Sequence, residues 1–207
     1  MEYQLESTFA YSCHYNGGCR LLSYTPIAGS GPNSAVLHYG HAGAPNDRKL
    51  EDGDIVLCDM GSELYCYASD ITNSFPASGT FTADQRLIFE TVAAMQSAVL
   101  GAMRSGVQWA AMHELAYRVL CERLAAAGLL VGDVDALMAA NVAAVLMPHG
   151  LGHFMGIDTH DIMVFPRHGN LQEVMRKDQM WMWKAVADYR ANQAANLKED
   201  VTVALAD

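Results

Sequence analysis

The sequence predicts an α+β fold, on three observations. Residues 54–75 alternate apolar and polar in the manner of strands, residues 82–126 carry apolar residues at helical spacing, and the last residues end in the strand-like run "VTVAL". Length and composition bound the answer further. A chain of 207 residues with 51% apolar and 17% charged content can bury one real core, so a single domain over residues 1–207 is expected. A formal net charge of -10 argues against nucleic acid and against an anionic membrane surface as partner, because both reward clustered Lys and Arg.

The strand pattern comes first. In "DIVLCDMGSELYCYASDITNSF" Ile55, Leu57 and Asp59 share one parity, and Tyr65, Tyr67 and Ser69 continue it beyond Gly61-Ser62. Two strands joined by a turn at Gly61-Ser62 account for this, so a β-hairpin is predicted. The run "PASGTF" ends it, and Thr82-x-x-Gln85 is a capping box that opens a helix to about Met103. Ile88, Val92, Met95, Val99 and Ala102 form the face expected to point inward. After the break at "RSGVQW" a second amphipathic helix buries Met112, Leu115, Val119, Leu120 and Leu124, with Gly128 as its cap. "VDALMAANVAAVL" reads as one short third helix. Nothing repeats, and no Pro/Ser-rich linker divides the chain.

Two features remain without an immediate structural purpose. "MPHGLGHFMGIDTHD" holds His149, His153 and His160 among glycines and apolar residues, and Asp59 sits between Leu57 and Met60, where a carboxylate is costly unless paired or bound to a cation. Histidine and aspartate together suit a divalent metal. Each residue also has a plainer reading. Asp59 and Asp70 can be capping or turn carboxylates, His153 a core histidine donating to a carbonyl, His38 and His160 loop histidines, and His149 a packing residue. Five cysteines, none in a CxxC pair and odd in number, fit a reducing, cytoplasmic setting. The N-terminus has no signal-peptide pattern, and no apolar run is long enough for a membrane helix.

Three segments, "NSAVLHYGHAGAPNDR", "GDIVLCDMGSELYCYASDITNSFPASGTFTADQ" and "MPHGLGHFMGIDTHD", together resemble the catalytic domain of the pita-bread metallopeptidase family, in particular its Xaa-Pro dipeptidases. The likeness covers residues 1–162, in the family's order. It implies the pita-bread (creatinase/aminopeptidase-like) fold, here incomplete, since the chain starts within the family's first helix and lacks the N-terminal domain that completes a homodimer. It implies a two-metal site, most often manganese, in which Asp59, Asp70 and His153 are metal ligands. His38 and His160 are then the substrate-side histidines, and the substrate is a small Xaa-Pro peptide.

Residues 163–207 depart from the family. Alignment on Met180 puts Ala185 where the family has its first glutamate ligand, and "NLKEDVTVAL" puts Lys198 at the second and Asn196 at an arginine. Glu199 is one residue off, which turns a strand side chain to the other face, and Asp200 lies about 6–7 Å further along. The stretch between Asp161 and Met180 is shorter than in the family and lacks its arginine-bearing segment; Arg176 is the substitute taken to meet a substrate carboxylate. Two readings of function follow: a metal-dependent Xaa-Pro dipeptidase, or a catalytically inactive pita-bread domain that serves as an interaction module or is a non-functional fragment.

Overall fold

The computed structural model describes residues 1–40 and 46–161. Expectations for Arg176, Ala185, Asn196, Lys198, Glu199, Asp200 and the final strand lie outside them. The described residues group into two units, one from residues 1–90 with 152–161 and one from residues 91–151.

The first unit begins with α1 (Glu2–Tyr15), followed by β1 (Leu21–Leu22), β2 (Ile27–Ser30) and a 3-10 turn over Gly31–Ala35. Then come β3 (Ile55–Met60), β4 (Ser62–Leu64), β5 (Tyr67–Ala68) and β6 (Ile71–Pro76). One antiparallel sheet has the order β2-β3-β6, the other β1-β4-β5. In the first, Asp59 lies opposite Ile27 on one side and Thr72 on the other.

The predicted hairpin is therefore corrected. β3 pairs with β6, not with residues 65–69, and the chain between them leaves the sheet as a separate ribbon, β4–β5. Its turn falls at Tyr65-Cys66, both in the left-handed region (φ 53° and 69°), as a two-residue turn between antiparallel strands demands. Neither residue type signals such a turn, whereas Gly61 and Ser62 do. Gly61 serves another purpose: the Ser69 carbonyl passes so close to it that a Cβ would overlap, and the Tyr24 ring would lie 3.1 Å from that Cβ. Ser62 and Ser69 then close the base of the ribbon through Ser62 N–H to Ser69 Oγ (2.9 Å) and Ser69 Oγ to the Ser62 carbonyl (2.9 Å). Gly61→Ala is expected to cost about 2 kcal/mol of stability through overpacking against backbone, read as a lowered denaturation midpoint. A midpoint unchanged from wild type would show that the strands do not cross there.

Glu2, at the start of α1, is 0% exposed. Its Oε1 accepts from the Ser30 backbone N–H (2.8 Å), Ser30 Oγ (2.8 Å) and Asn33 Nδ2 (3.1 Å), and its Oε2 from the Tyr39 hydroxyl (2.8 Å). Arg48 donates to Ser30 Oγ (2.9 Å) and pairs with Asp54. A buried carboxylate is tolerated because every donor around it points inward.

α2 (Ala83–Ala102) opens with the predicted capping box: Thr82 N–H donates to Gln85 Oε1 (3.0 Å) and Gln85 N–H to Thr82 Oγ1 (3.2 Å). Its buried line is Thr91, Met95 and Val99, whereas Ile88 and Val92 are 47% and 53% exposed among the described residues. A helical period gives a broad apolar stripe, and packing selected one edge of it.

In the second unit α3 (Trp109–Ala126) buries Met112, Ala116, Leu120, Cys121 and Leu124, with Leu115 and Val119 partly buried against the same core. Gly128, at φ 74°, ends it in a Schellman motif: Leu129 N–H donates to the Leu124 carbonyl (2.9 Å) and Gly128 N–H to that of Ala125 (3.0 Å). The single third helix is two, α4 (Val134–Ala139) and α5 (Ala143–Leu146). Asn141, at φ 55°, makes the same kind of cap, with Val142 N–H to the Leu137 carbonyl (3.1 Å) and Asn141 N–H to that of Met138 (3.0 Å). Asparagine reaches that conformation more readily than most residues, which is why an otherwise helical stretch breaks there. No helix among the described residues is long and apolar enough to cross a membrane.

Candidate metal centre

Two carboxylates meet at one end of the β2-β3-β6 sheet. Asp59 is near the end of β3 and Asp70 immediately precedes β6, so the antiparallel pairing of these strands brings them together. Between them lies the phenol of Tyr24, from the segment leading into β2. Its hydroxyl hydrogen-bonds Asp59 Oδ1 and also Asp70 Oδ1 (2.8 Å). Ser23 anchors that segment: its N–H donates to the Gly61 carbonyl (3.0 Å), its Oγ accepts from Ser69 N–H (3.0 Å), and its carbonyl accepts from Thr159 Oγ1 (3.0 Å).

The last of these bonds ties in the histidine segment. Ala68 N–H donates to the Gly156 carbonyl (2.8 Å), and Asp161 N–H to that of Phe154 (3.1 Å). The space a Cβ of Gly156 would need is filled by the Asp161 carboxylate. Held in this way, His153 directs Nε2 at Asp70 Oδ2 (3.0 Å) and Nδ1 at the Phe154 carbonyl (2.8 Å). A carbonyl can only accept, so Nδ1 carries a proton. The opposite nitrogen faces a carboxylate, and a second proton or a metal cation is needed between them. The His160 ring stands edge-on to His153 with centroids 4.2 Å apart, and His38, at φ 55°, is 6.4 Å from His160.

Burial pushes the Asp59 carboxyl above its usual range, and the Asp70 charge adds to this against the hydrogen bond from Tyr24. Burial and the two carboxylates together push the Tyr24 phenol far above its ordinary value, so it stays a donor. Burial raises the neighbouring Cys58 thiol to about 11, which makes it an inert packing group. Carboxylate oxygen and imidazole nitrogen at these positions are a donor set suited to a first-row divalent ion.

All five residues singled out in the sequence, His38, Asp59, Asp70, His153 and His160, belong to the first unit. His149 belongs to the second, is exposed, and directs Nδ1 to the Gly150 carbonyl (2.9 Å). Tyr24 was not legible. "LLSYTPIAGS" carries no chemical signature, and only the requirement for a donor between two carboxylates reveals it. Tyr24→Phe, with no metal added, is expected to lower stability by about 2 kcal/mol, since the hydroxyl that both carboxyl groups share as a hydrogen-bond partner is lost. Denaturant titration in chelator checks this, and an unchanged midpoint would refute the bridging role.

The fold is the pita-bread fold, and the chain belongs to metallopeptidase family M24, whose family model matches residues 1–203. It is similar to the Xaa-Pro dipeptidase of Homo sapiens, at 59% identity over 165 residues, which are 80% of this chain and 34% of that protein. The Mus musculus Xaa-Pro dipeptidase is 56% identical over the same proportions. Among solved structures, Pseudomonas aeruginosa aminopeptidase PepP superposes with a TM-score of 0.76 at 37% identity, over 84% of this chain and 38% of its own. The zinc-substituted Escherichia coli aminopeptidase P in complex with product gives 0.75 at 35%, with the same coverage. The chain thus spans about a third of the length of the curated relatives it matches.

Proposed function

We propose that this chain carries the catalytic centre of a divalent-metal Xaa-Pro dipeptidase, with Asp59, Asp70 and His153 as metal ligands and His38 and His160 facing the substrate. The observation that carries this reading is the convergence of two aspartates and an imidazole from separate parts of the chain, bridged by Tyr24. When bound, a divalent ion, manganese by family resemblance, supplies the Lewis acidity that activates water and polarises a peptide carbonyl. The chain's own groups do the rest. Asp59 and Asp70 neutralise cationic charge, and the Phe154 carbonyl fixes the His153 tautomer so that Nε2 faces the ligand site. The exposed imidazole of His160 is available to donate to a substrate carboxylate or to a developing oxyanion. The five cysteines are free thiols, which supports a reducing, cytoplasmic location. A homodimer is part of the same family-based reading.

A second reading, an inactive domain acting as an interaction module, is favoured by the tail sequence, with Ala185 and Lys198 where the family places glutamates. Hydrolysis of Gly-Pro by the purified chain with and without manganese, alongside its metal content, separates the two. Chelator-sensitive hydrolysis supports the dipeptidase. Bound metal without hydrolysis supports the inactive domain, and a chain that retains no divalent ion defeats the metal-centre assignment itself.

A further inference from the structure

We propose that Cys13 and Cys19 form a dithiol modification site, which a two-electron oxidant such as hydrogen peroxide converts to an intrachain disulfide across the C-terminal end of α1. The site is separate from the metal centre and does not depend on it.

The chain turns back on itself where α1 ends. The Asn16 and Gly17 N–H groups both donate to the Ser12 carbonyl (2.9 and 3.1 Å). Cys19 N–H then donates to the Cys13 carbonyl (3.1 Å), and His14 Nδ1 meets the Cys19 carbonyl (2.8 Å). The bonds linking the two cysteine Cα atoms through this contact limit their separation to about 7 Å, and ordinary hydrogen-bond angles bring it to about 6 Å, within the span of a disulfide. Glycine makes so tight a return possible: a Cβ on Gly17 would lie 2.8 Å from the Cys13 carbonyl oxygen and 3.5 Å from its Cα, and Gly18 takes φ 66°.

The sulfur of Cys19 stays over this turn. It faces the Gly17 carbonyl at 3.9 Å and accepts from the Ser62 hydroxyl (3.3 Å). Both thiols are free and partly exposed, so a small oxidant reaches them from solvent. Two of the other cysteines are worse placed to react: Cys121 is buried, and burial pushes the thiols of Cys58 and Cys121 up. Cys66 is exposed at the turn of the β4–β5 ribbon.

The chemistry balances with peroxide as the oxidant. One thiolate attacks a peroxide oxygen, the O–O bond breaks, and a sulfenic acid and hydroxide result. The second thiolate then attacks the sulfenic sulfur, the S–S bond forms, and the S–O bond breaks to release a second hydroxide. The two protons given up by the thiols convert both hydroxides to water, and the two sulfurs have lost two electrons to the peroxide. The bridge closes a ring over residues 13–19, joins the last turn of α1 to the segment entering β1, and draws the Cys19 sulfur away from the Ser62 hydroxyl at the base of the ribbon.

Both cysteines fall in the tryptic peptide 1–20, which has no internal lysine or arginine. The full chain is treated with hydrogen peroxide in chelator, its remaining thiols are capped with N-ethylmaleimide, and the digest is read by mass spectrometry. Peptide 1–20 is expected without a cap and lighter by two hydrogens than its dithiol form, and dithiothreitol should restore it. A chymotryptic cut after Tyr15 should leave its halves joined, and Cys13→Ser or Cys19→Ser should abolish the bridge. In glutathione redox buffers the effective concentration of the two thiols is expected to be at least about tenfold higher in the native chain than in guanidinium. Peptide 1–20 carrying two caps after Cys66 has been oxidised would overturn the inference, as would a bridge from Cys19 to Cys66. Equal effective concentrations in the native and denatured chain would also overturn it, because the fold would then contribute nothing to bringing the thiols together.

Discussion

Asp70→Asn is expected to weaken divalent-ion binding by at least about a hundredfold, which corresponds to about 2.7 kcal/mol. Asp70 is the residue on which the cluster converges, with Tyr24 on one oxygen and His153 on the other. The amide keeps an acceptor for the phenol but loses the charge that a cation needs, and its NH₂ presents protons where a lone pair stood. The same substitution should remove metal-dependent stabilisation. Ligand at a hundred times its Kd adds about 2.7 kcal/mol to a wild-type fold that binds it only when native, and the variant should show none of this. Melting curves with and without Zn²⁺ or Mn²⁺ provide the measurement. A variant that still rises with metal as wild type does would mean that the ion is held elsewhere.

Glu2→Ala is expected to cost about 4 kcal/mol of stability. The cost comes from the donors left behind, the Ser30 N–H and hydroxyl, the Asn33 amide and the Tyr39 hydroxyl, all aimed at an acceptor that is gone. Glu2→Gln keeps one carbonyl oxygen and should cost less than half as much. Burial by itself would raise the Glu2 carboxyl, but the hydrogen bonds from Asn33, Ser30 and Tyr39 outweigh it and hold the group below its ordinary value. A folded pKa below the unfolded one gives stability that is fully present above the unfolded value and is lost as pH falls through the folded one. Wild type should thus lose stability on acidification below about pH 4.3 more steeply than Glu2→Gln. Equal acid sensitivity in the two proteins would contradict the assignment. Asp59 works in the opposite sense: its carboxyl is held above the ordinary range, so its contribution is present at low pH and is lost as pH rises through the folded value.

What the sequence by itself determined is whatever depends on neighbours within a few positions. The Thr82/Gln85 box and the Gly128 cap are exchanges of hydrogen bonds within one turn, and residue type suffices to read them. The α+β class, the apolar stripe of α3 and the choice of Asp59, Asp70 and the histidines as chemically unusual residues belong here too. Where residue type gave a weak or misleading local signal, the reading slipped: the turn at Tyr65-Cys66 and the helix break at Asn141 both use positive φ at residues other than glycine.

Tertiary structure alone decided the rest. Tyr24 is 35 and 46 residues from the two aspartates it joins, and Glu2 is 28 residues from Ser30. Hydrogen bonds over such separations leave no periodicity in the chain, because their partners become neighbours only through the packing of elements far apart in sequence. The pairing of β3 with β6 depended on backbone: the crossing at Gly61 diverts residues 62–68 into a second sheet and frees β3 for a partner further along. The same pairing sets Asp59 and Asp70 side by side, so that a feature of one glycine's backbone determines where the carboxylates meet.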